Sequence, residues 1–233
     1  MNINKFIAQT GLTSRRGADE LVKAGKVKIN AKVAKLTDKV SENDRVFVDG
    51  RQIKIETQKI YLAFNKPVGV ITTTDANSPN NIIDFIKYPK RIFPVGRLDV
   101  NTSGLILLTN DGDFAQKIIK GKKIEKEYEV EVDKTIDNTF LKGLEYGIKL
   151  DGYPTLSAKT QKIGDRSFTI TIVEGRNRQI RRMCEHFGYN VTKLKRIRIG
   201  NLKLEDLQEG KYRELSITGI GKVLTSLNPY VTL

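Results

Sequence analysis

An arginine and an aspartate stand two residues apart in Pro94-Val95-Gly96-Arg97-Leu98-Asp99, ahead of Thr102-Ser103-Gly104 and an apolar run from Leu105 to Leu108. Set between glycines and before a strand that reads as buried, Arg97 and Asp99 have the setting of an active-site loop. Asp99 is a candidate nucleophile, a role that suits an ionised carboxylate better than general-acid work. Three plainer roles compete with it: a turn cap, an ion pair with Arg97, or a surface carboxylate. A second cluster, Arg176-Asn177-Arg178-Gln179-Ile180-Arg181-Arg182, supplies a positive field for an anionic substrate. Metal or Ser-His-Asp chemistry has little to build with, because Cys184 and His186 are the single cysteine and histidine.

Two further segments can bring side chains to such a site. In Lys126-Glu127-Tyr128-Glu129-Val130, strand alternation puts Lys126, Tyr128 and Val130 on one face and the glutamates on the other. Tyr128 then packs in the core or, if it borders a pocket, stacks on a base or relays a proton. On a helix from Gln179 to Phe187, Ile180, Met183 and Phe187 share a core face. Arg178 and Arg181, three apart, can meet one ligand with Arg182 one position around; the alternative is a solvated helix face.

The elements that must position these groups read as an α+β pattern. Residues 1–50 form a small unit. Ile3, Phe6 and Ile7 share a helical face that stops at Gly11, and Thr13 or Ser14 caps a second helix running to Ala24. Short strands follow around Asn30-Ala31 and from Arg45 to Val48. Arg15 and Arg16 open the second helix, where backbone amides already favour an anion, and with Lys23, Lys26 and Lys28 they mark a phosphate-binding face. Residues 51–59 read as a linker, and 60–233 as a second domain. Strands are expected over 60–64, 105–109, 127–132, 168–173 and 191–199, and helices over 81–86, 113–119 and 179–187. Leu202, Leu204 and the 212–217 segment complete the core. A doubly wound nucleotide fold is disfavoured, and no phosphate-binding glycine loop is present.

The global charge is +14, from 41 basic and 27 acidic residues, which draws polyanions to the surface. Between Glu174 and Arg198 eight Lys/Arg face two acids, a sharper bias than a merely solvated surface carries. No run of 18 apolar residues and no secretory signal is visible, so a cytoplasmic protein without membrane contact is expected. A monomer is the default, since no surplus apolar helical stripe is evident.

The 93–113 segment, the 126–130 strand and the 174–189 stretch, in that order, resemble the ribosomal pseudouridine synthases that modify small- or large-subunit rRNA at single uridines. The first fifty residues resemble the S4 RNA-binding domain often attached to them. Asn81-Ile82-Ile83-Asp84-Phe85, Lys90-Arg91-Ile92-Phe93-Pro94 and Arg181-Arg182-Met183-Cys184-Glu185-His186-Phe187-Gly188-Tyr189 are most similar to the branch acting on 23S rRNA near the peptidyl transferase centre. The resemblance implies an S4-like domain followed by a mixed, mainly antiparallel-sheet catalytic domain. It implies an isomerase that breaks the N1–C1′ bond of a uridine and rejoins the base through C5, a reaction without redox change or energy input and hence without a cofactor.

By that resemblance Asp99 is the nucleophile, attacking C1′ or removing the 2′ hydrogen. Arg97 positions the flipped nucleotide and contacts phosphate. Tyr128 packs on the target base and takes part in the final deprotonation. Ile180 is the apolar wall of the pocket, and Arg181 pairs with the aspartate. Lys126 and Arg178 touch substrate or phosphate. The implied partner is ribosomal RNA, of the large subunit, free or in an assembly particle. The rival reading is an S4-bearing assembly or translation factor that only binds RNA; the pair Asp99 and Arg181 speaks against it, since a passive RNA platform has no need for an anion in its basic groove.

Overall fold

The computed structural model describes residues 1–120 and 124–224; positions 121–123 and the last part of the expected second domain, 225–233, lie outside the described residues. The chain divides into two compact units. One holds Met1–Ile60 with Tyr88–Ile92 and Asn110–Gly112, and the other holds Tyr61–Lys87, Phe93–Thr109 and Asp113–Leu233.

In the first unit, helices α1 (Ile3–Gln9) and α2 (Arg15–Lys23) cover a four-stranded antiparallel sheet of β1 (Val27–Ile29), β2 (Lys32–Val33), β3 (Val46–Val48) and β4 (Arg51–Ile53), in the order β2-β1-β3-β4. The apolar spacing puts Ile3 and Ile7 of α1 and Ala18 and Val22 of α2 against Val27 and Val46. Ser14 caps α2 by accepting from the Gly17 amide, and Arg15 and Arg16 stand exposed in its first turn. Residues 51–53, expected within a linker, pair with β3 instead. That short strand is exposed and polar at two of its three positions, so its pairing partner rather than its pattern makes it a strand.

The second unit is built on one mixed sheet. Its strands are β5 (Tyr61–Lys66), β6 (Phe93–Val95), β7 (Ser103–Thr109), β8 (Lys126–Val132), β11 (Lys159–Lys162), β12 (Ser167–Ile172), β13 (Val191–Ile199), β14 (Leu202–Lys203) and β15 (Tyr212–Glu214). A separate hairpin joins β9 (Lys149–Leu150) and β10 (Tyr153–Pro154), and the helices are α3 (Ile82–Ile86), α4 (Gly112–Lys120), α5 (Asn138–Tyr146), α6 (Gln179–His186) and α7 (Ile217–Leu224). The main path runs β11-β12-β8-β13-β7-β5-β15. Every pairing in it is antiparallel except β13 with β7, which meet in parallel at only Lys195↔Ser103 and Arg196↔Gly104. The sheet is thus two antiparallel halves joined by a short parallel seam, and the α+β expectation holds.

All seven residues of β7 are buried, as its unbroken apolar run requires of a strand covered on both faces. Leu105 and Leu107 pack with Phe114, Ala115 and Ile118 of α4. The helix α5 was not expected from the sequence. Asp137 caps it by accepting from the Phe140 amide, and Phe140 stacks on Tyr189 at 3.9 Å and meets Phe168 edge-on at 5.5 Å.

Candidate active site

The two halves of the sheet leave a cavity of about 370 Å³ at the seam, lined among others by Arg97, Asp99, Thr102, Tyr128, Arg178 and Ile180. These come from three separated parts of the chain, as their sequence spacing anticipated. Asp99 lies in the loop from β6 to β7, which Gly96 turns at φ +76°. The loop is fixed through its main chain. Thr102 N donates to Asp99 O at 3.0 Å, Gly69 N to Val100 O at 2.9 Å, and the buried Thr72 hydroxyl to Leu98 O at 2.8 Å. The Asp99 side chain is half-buried, and among the described residues neither Arg97 nor Arg181 forms an ion pair with it. Arg97 is exposed at the rim. A carboxylate neither capped nor paired, held still by its backbone, is available to a ligand.

Tyr128 stands on β8, 8 % exposed, opposite Arg196 of β13 and Ile170 of β12. It is packed in the core and also lines the cavity. Ile180, in the first turn of α6, is 4 % exposed and forms an apolar wall. Arg178 occupies the N-cap of α6 in the left-handed region at φ 48° and is exposed.

The rest of the arginine cluster is committed to partners within the protein, which corrects the expectation that it supplies the field as a group. Arg181 is buried; it donates to Val191 O at 2.9 Å and Asn101 O at 2.7 Å. It therefore does not pair with Asp99 but ties down the loop two residues beyond it. Arg176 lines the cavity yet spends its guanidinium on Glu174 and on the carbonyls of Leu150, Tyr153 and Pro154, anchoring the β9–β10 hairpin. Arg182 grips Asp151 of the same hairpin with two hydrogen bonds, at 2.9 and 2.7 Å. Lys126 does not line the cavity; its ammonium turns back to Ile124 O at 3.3 Å. Arg15 and Arg16 belong to the first unit.

Three contributors escaped the sequence reading. Arg196 is 4 % exposed; its Nε donates to Leu105 O at 2.6 Å and its guanidinium lies 6.0 Å from the Tyr128 ring centre, filling the space where β7 and β13 part. The Thr102 hydroxyl is buried beside the cavity without a hydrogen-bond partner among the described residues, a polar atom that a ligand can satisfy. Lys66 ends β5 fully buried, donating to Pro67 O and Val70 O at 2.8 Å each. A lysine closing an apolar strand before Pro-Val-Gly was the available signal for it. The Arg196 signal was hidden among the neighbouring cations Lys193, Lys195 and Arg198.

Burial pushes the Lys66 ammonium down to about 8, against the opposing pull of Asp99 and Glu209. Between about pH 8 and the ordinary value of 10.5 the unfolded chain then binds more protons than the folded one. Stability contributed through Lys66 rises with pH across that window and falls as the pH drops through it. Thermal unfolding of wild type and Lys66→Met should show the difference moving in favour of wild type as pH is raised through this range; a pH-independent difference would contradict the assignment.

Residues 60–186, which carry Asp99, Tyr128, Ile180 and Arg181, match the sequence model described as RNA pseudouridylate synthase. The chain belongs to that family. Residues 1–46 match the S4 domain. The chain is 46 % identical to the dual-specificity RNA pseudouridine synthase RluF of Salmonella typhi over 217 residues, covering 92 % of this chain and 75 % of that one. It is 42 % identical to the ribosomal large subunit pseudouridine synthase B of Bacillus subtilis, covering 92 % and 91 %. A solved structure described as a pseudouridylate synthase superposes with a TM-score of 0.70 at 33 % identity, over 96 % of this chain and 99 % of that one. This pseudouridine synthase is therefore an RNA isomerase carrying an S4 domain, and the purely binding alternative falls away.

Proposed function

We propose that the enzyme converts a uridine of large-subunit ribosomal RNA to pseudouridine, with Asp99 as nucleophile, in the cytoplasm and without a stable partner chain. The observation that carries this reading is the half-buried Asp99 carboxylate, unpaired among the described residues, facing an apolar wall and a tyrosine in one cavity. The name of the Bacillus subtilis relative, ribosomal large subunit pseudouridine synthase B, supports the large subunit. No described helix is long and apolar enough to cross a membrane.

The target uridine leaves its stack, at a cost of a few kcal/mol that an irregular loop lowers. Arg97 and Arg178, the two exposed guanidinium groups at the rim, hold the displaced backbone. Ile180 covers the apolar side of the base and the Tyr128 ring supports it. Asp99 attacks C1′ or takes the 2′ hydrogen; either route breaks the N1–C1′ bond and releases the base from C1′, and both leave it to turn within the walled cavity. C5 then bonds to C1′ as the Asp99–C1′ ester bond breaks or as Asp99 returns the proton to C2′, and the C5 proton leaves by way of Tyr128. Thr102 offers a buried hydroxyl, without a partner among the described residues, for a polar atom of the nucleotide.

Tritium release from 5-tritiated uridine tests the assignment of substrate. Unmodified large-subunit rRNA should release it, and small-subunit rRNA should not; release from the small-subunit RNA alone would move the substrate to the other subunit. The exposed Arg15 and Arg16 are proposed as phosphate contacts of the S4 domain. Replacing both with alanine should lower RNA affinity roughly 10-fold and flatten the log-affinity against log-salt slope by about 2, with turnover of bound RNA unchanged. Equal slopes for wild type and double variant would remove these residues from the interface.

A further inference from the structure

The wall that carries Asp99 has a second side. Arg97, Leu98 and Asp99 border the catalytic cavity and also a larger one of about 830 Å³. We propose that this second cavity takes the base of a nucleotide directly adjoining the target uridine, with Arg97 on the phosphate that joins the two. The inference rests on the functional reading above and adds to it a subsite that reads the target's neighbour.

Chemistry and geometry favour that occupant over others. Ile71, Val100 and Ile119 border the second cavity and are 37, 41 and 59 % exposed, apolar surface suited to the face of an unstacked base. Thr74, exposed on the same border, offers a hydroxyl to a base edge or a 2′-OH. Arg97 is the cation common to both cavities, is exposed, and forms no ion pair among the described residues. A strand whose uridine enters one cavity must carry its adjoining phosphate over the rim between them, and that rim is where the unpaired guanidinium stands. A protein partner would find the same apolar residues but would leave the link between the two cavities without a purpose.

The second cavity is also built, not a slack loop. Its far wall, residues 71–74, is fastened to the catalytic loop by Thr72, whose hydroxyl donates to Leu98 O at 2.8 Å and accepts from Leu98 N at 3.4 Å. Ile71 is held in turn by Ile71 N to Asn80 O and Ile82 N to Ile71 O, each at 2.9 Å. A base seated there presses on the segment that sets the position of Asp99. The neighbouring nucleotide therefore contributes to turnover as well as to binding, and flanking-nucleotide contacts are a general source of sequence preference in enzymes that flip a base.

The test is a cycle between protein and RNA. A large-subunit rRNA fragment that the wild-type enzyme turns over is prepared intact, with an abasic nucleotide 5′ to the target, and with one 3′ to it. Wild type should lose roughly 10- to 100-fold in kcat/KM for the abasic replacement on one side only, the range that stacking of one base supplies. The Ile71→Ala/Val100→Ala variant, altered only at exposed side chains, should already be slow on the intact fragment and should lose less than about 3-fold more on the same replacement. Losses that simply multiply, or no loss above about 2-fold on either side in wild type, would overturn the subsite and leave the isomerase reading intact. No turnover of any intact large-subunit fragment would overturn the reading and the subsite together.

Discussion

Gly104→Ala should lower the melting temperature by roughly 10 °C. Gly104 sits in β7 at φ +104°, and a Cβ there would lie 2.2 Å from Arg196 O and 2.6 Å from Arg196 N. Both contacts are backbone, so no side chain can swing away. The left-handed conformation costs an alanine about 1–3 kcal/mol, and overpacking adds about 1–3 more. A total near 4 kcal/mol is a large share of a typical stability of about 5–15 kcal/mol, and in a chain of this size it corresponds to that shift. The damage falls on the parallel seam, which consists of Lys195↔Ser103 and Arg196↔Gly104. Relieving the clash pushes β7 from β13, and with them the Asp99 loop from Tyr128, so activity should fall further than stability alone requires. Calorimetry with a parallel turnover assay checks this; a melting point within about 2 °C of wild type would contradict the close approach.

Much of the site was legible because its residues occupy special local settings. Gly96-Arg97-Leu98-Asp99 before the apolar run Leu105 to Leu108 marked the loop, alternation around Tyr128 marked its inward face, and helical spacing marked Ile180. What could not be read was where cations spend their hydrogen bonds. Arg176, Arg181 and Arg182 look equivalent to Arg178 in sequence, yet their partners are the carbonyls of Asn101, Val191 and the β9–β10 hairpin, and Asp151. The hairpin itself left no clear pattern, since each of its strands has only two residues. Helix α5 had a readable signal in Asp137 followed by Phe140, Leu141 and Leu144, all three buried. The seam that makes the cavity was beyond reach: a two-pair parallel contact between β7 and β13 has no local signature, and it is what gives Arg196 and Gly104 their importance.

Asp99→Asn carries the largest expected effect on function. The substitution keeps shape and removes the negative charge and the nucleophilic oxygen. A reaction that depends on covalent or proton-abstracting work by that carboxylate should slow by at least ~10⁴-fold, equivalent to more than about 5 kcal/mol of transition-state stabilisation. The main-chain bonds that fix the loop, Thr102 N to Asp99 O among them, do not involve the side chain and should survive. RNA affinity should stay equal or rise, because an anion is lost from a site bordered by Arg97 and Arg178. A passive RNA-binding groove would show the same affinity change and no catalytic one, so the two quantities must be read together.

The measurement to make is tritium release from unmodified large-subunit rRNA containing 5-tritiated uridine, by wild type and Asp99→Asn, with RNA binding measured on the same preparations. Release by wild type, none detectable by a folded variant, and undiminished binding by that variant are the predicted results. Release by Asp99→Asn within about 10-fold of wild type would show that another group begins the reaction.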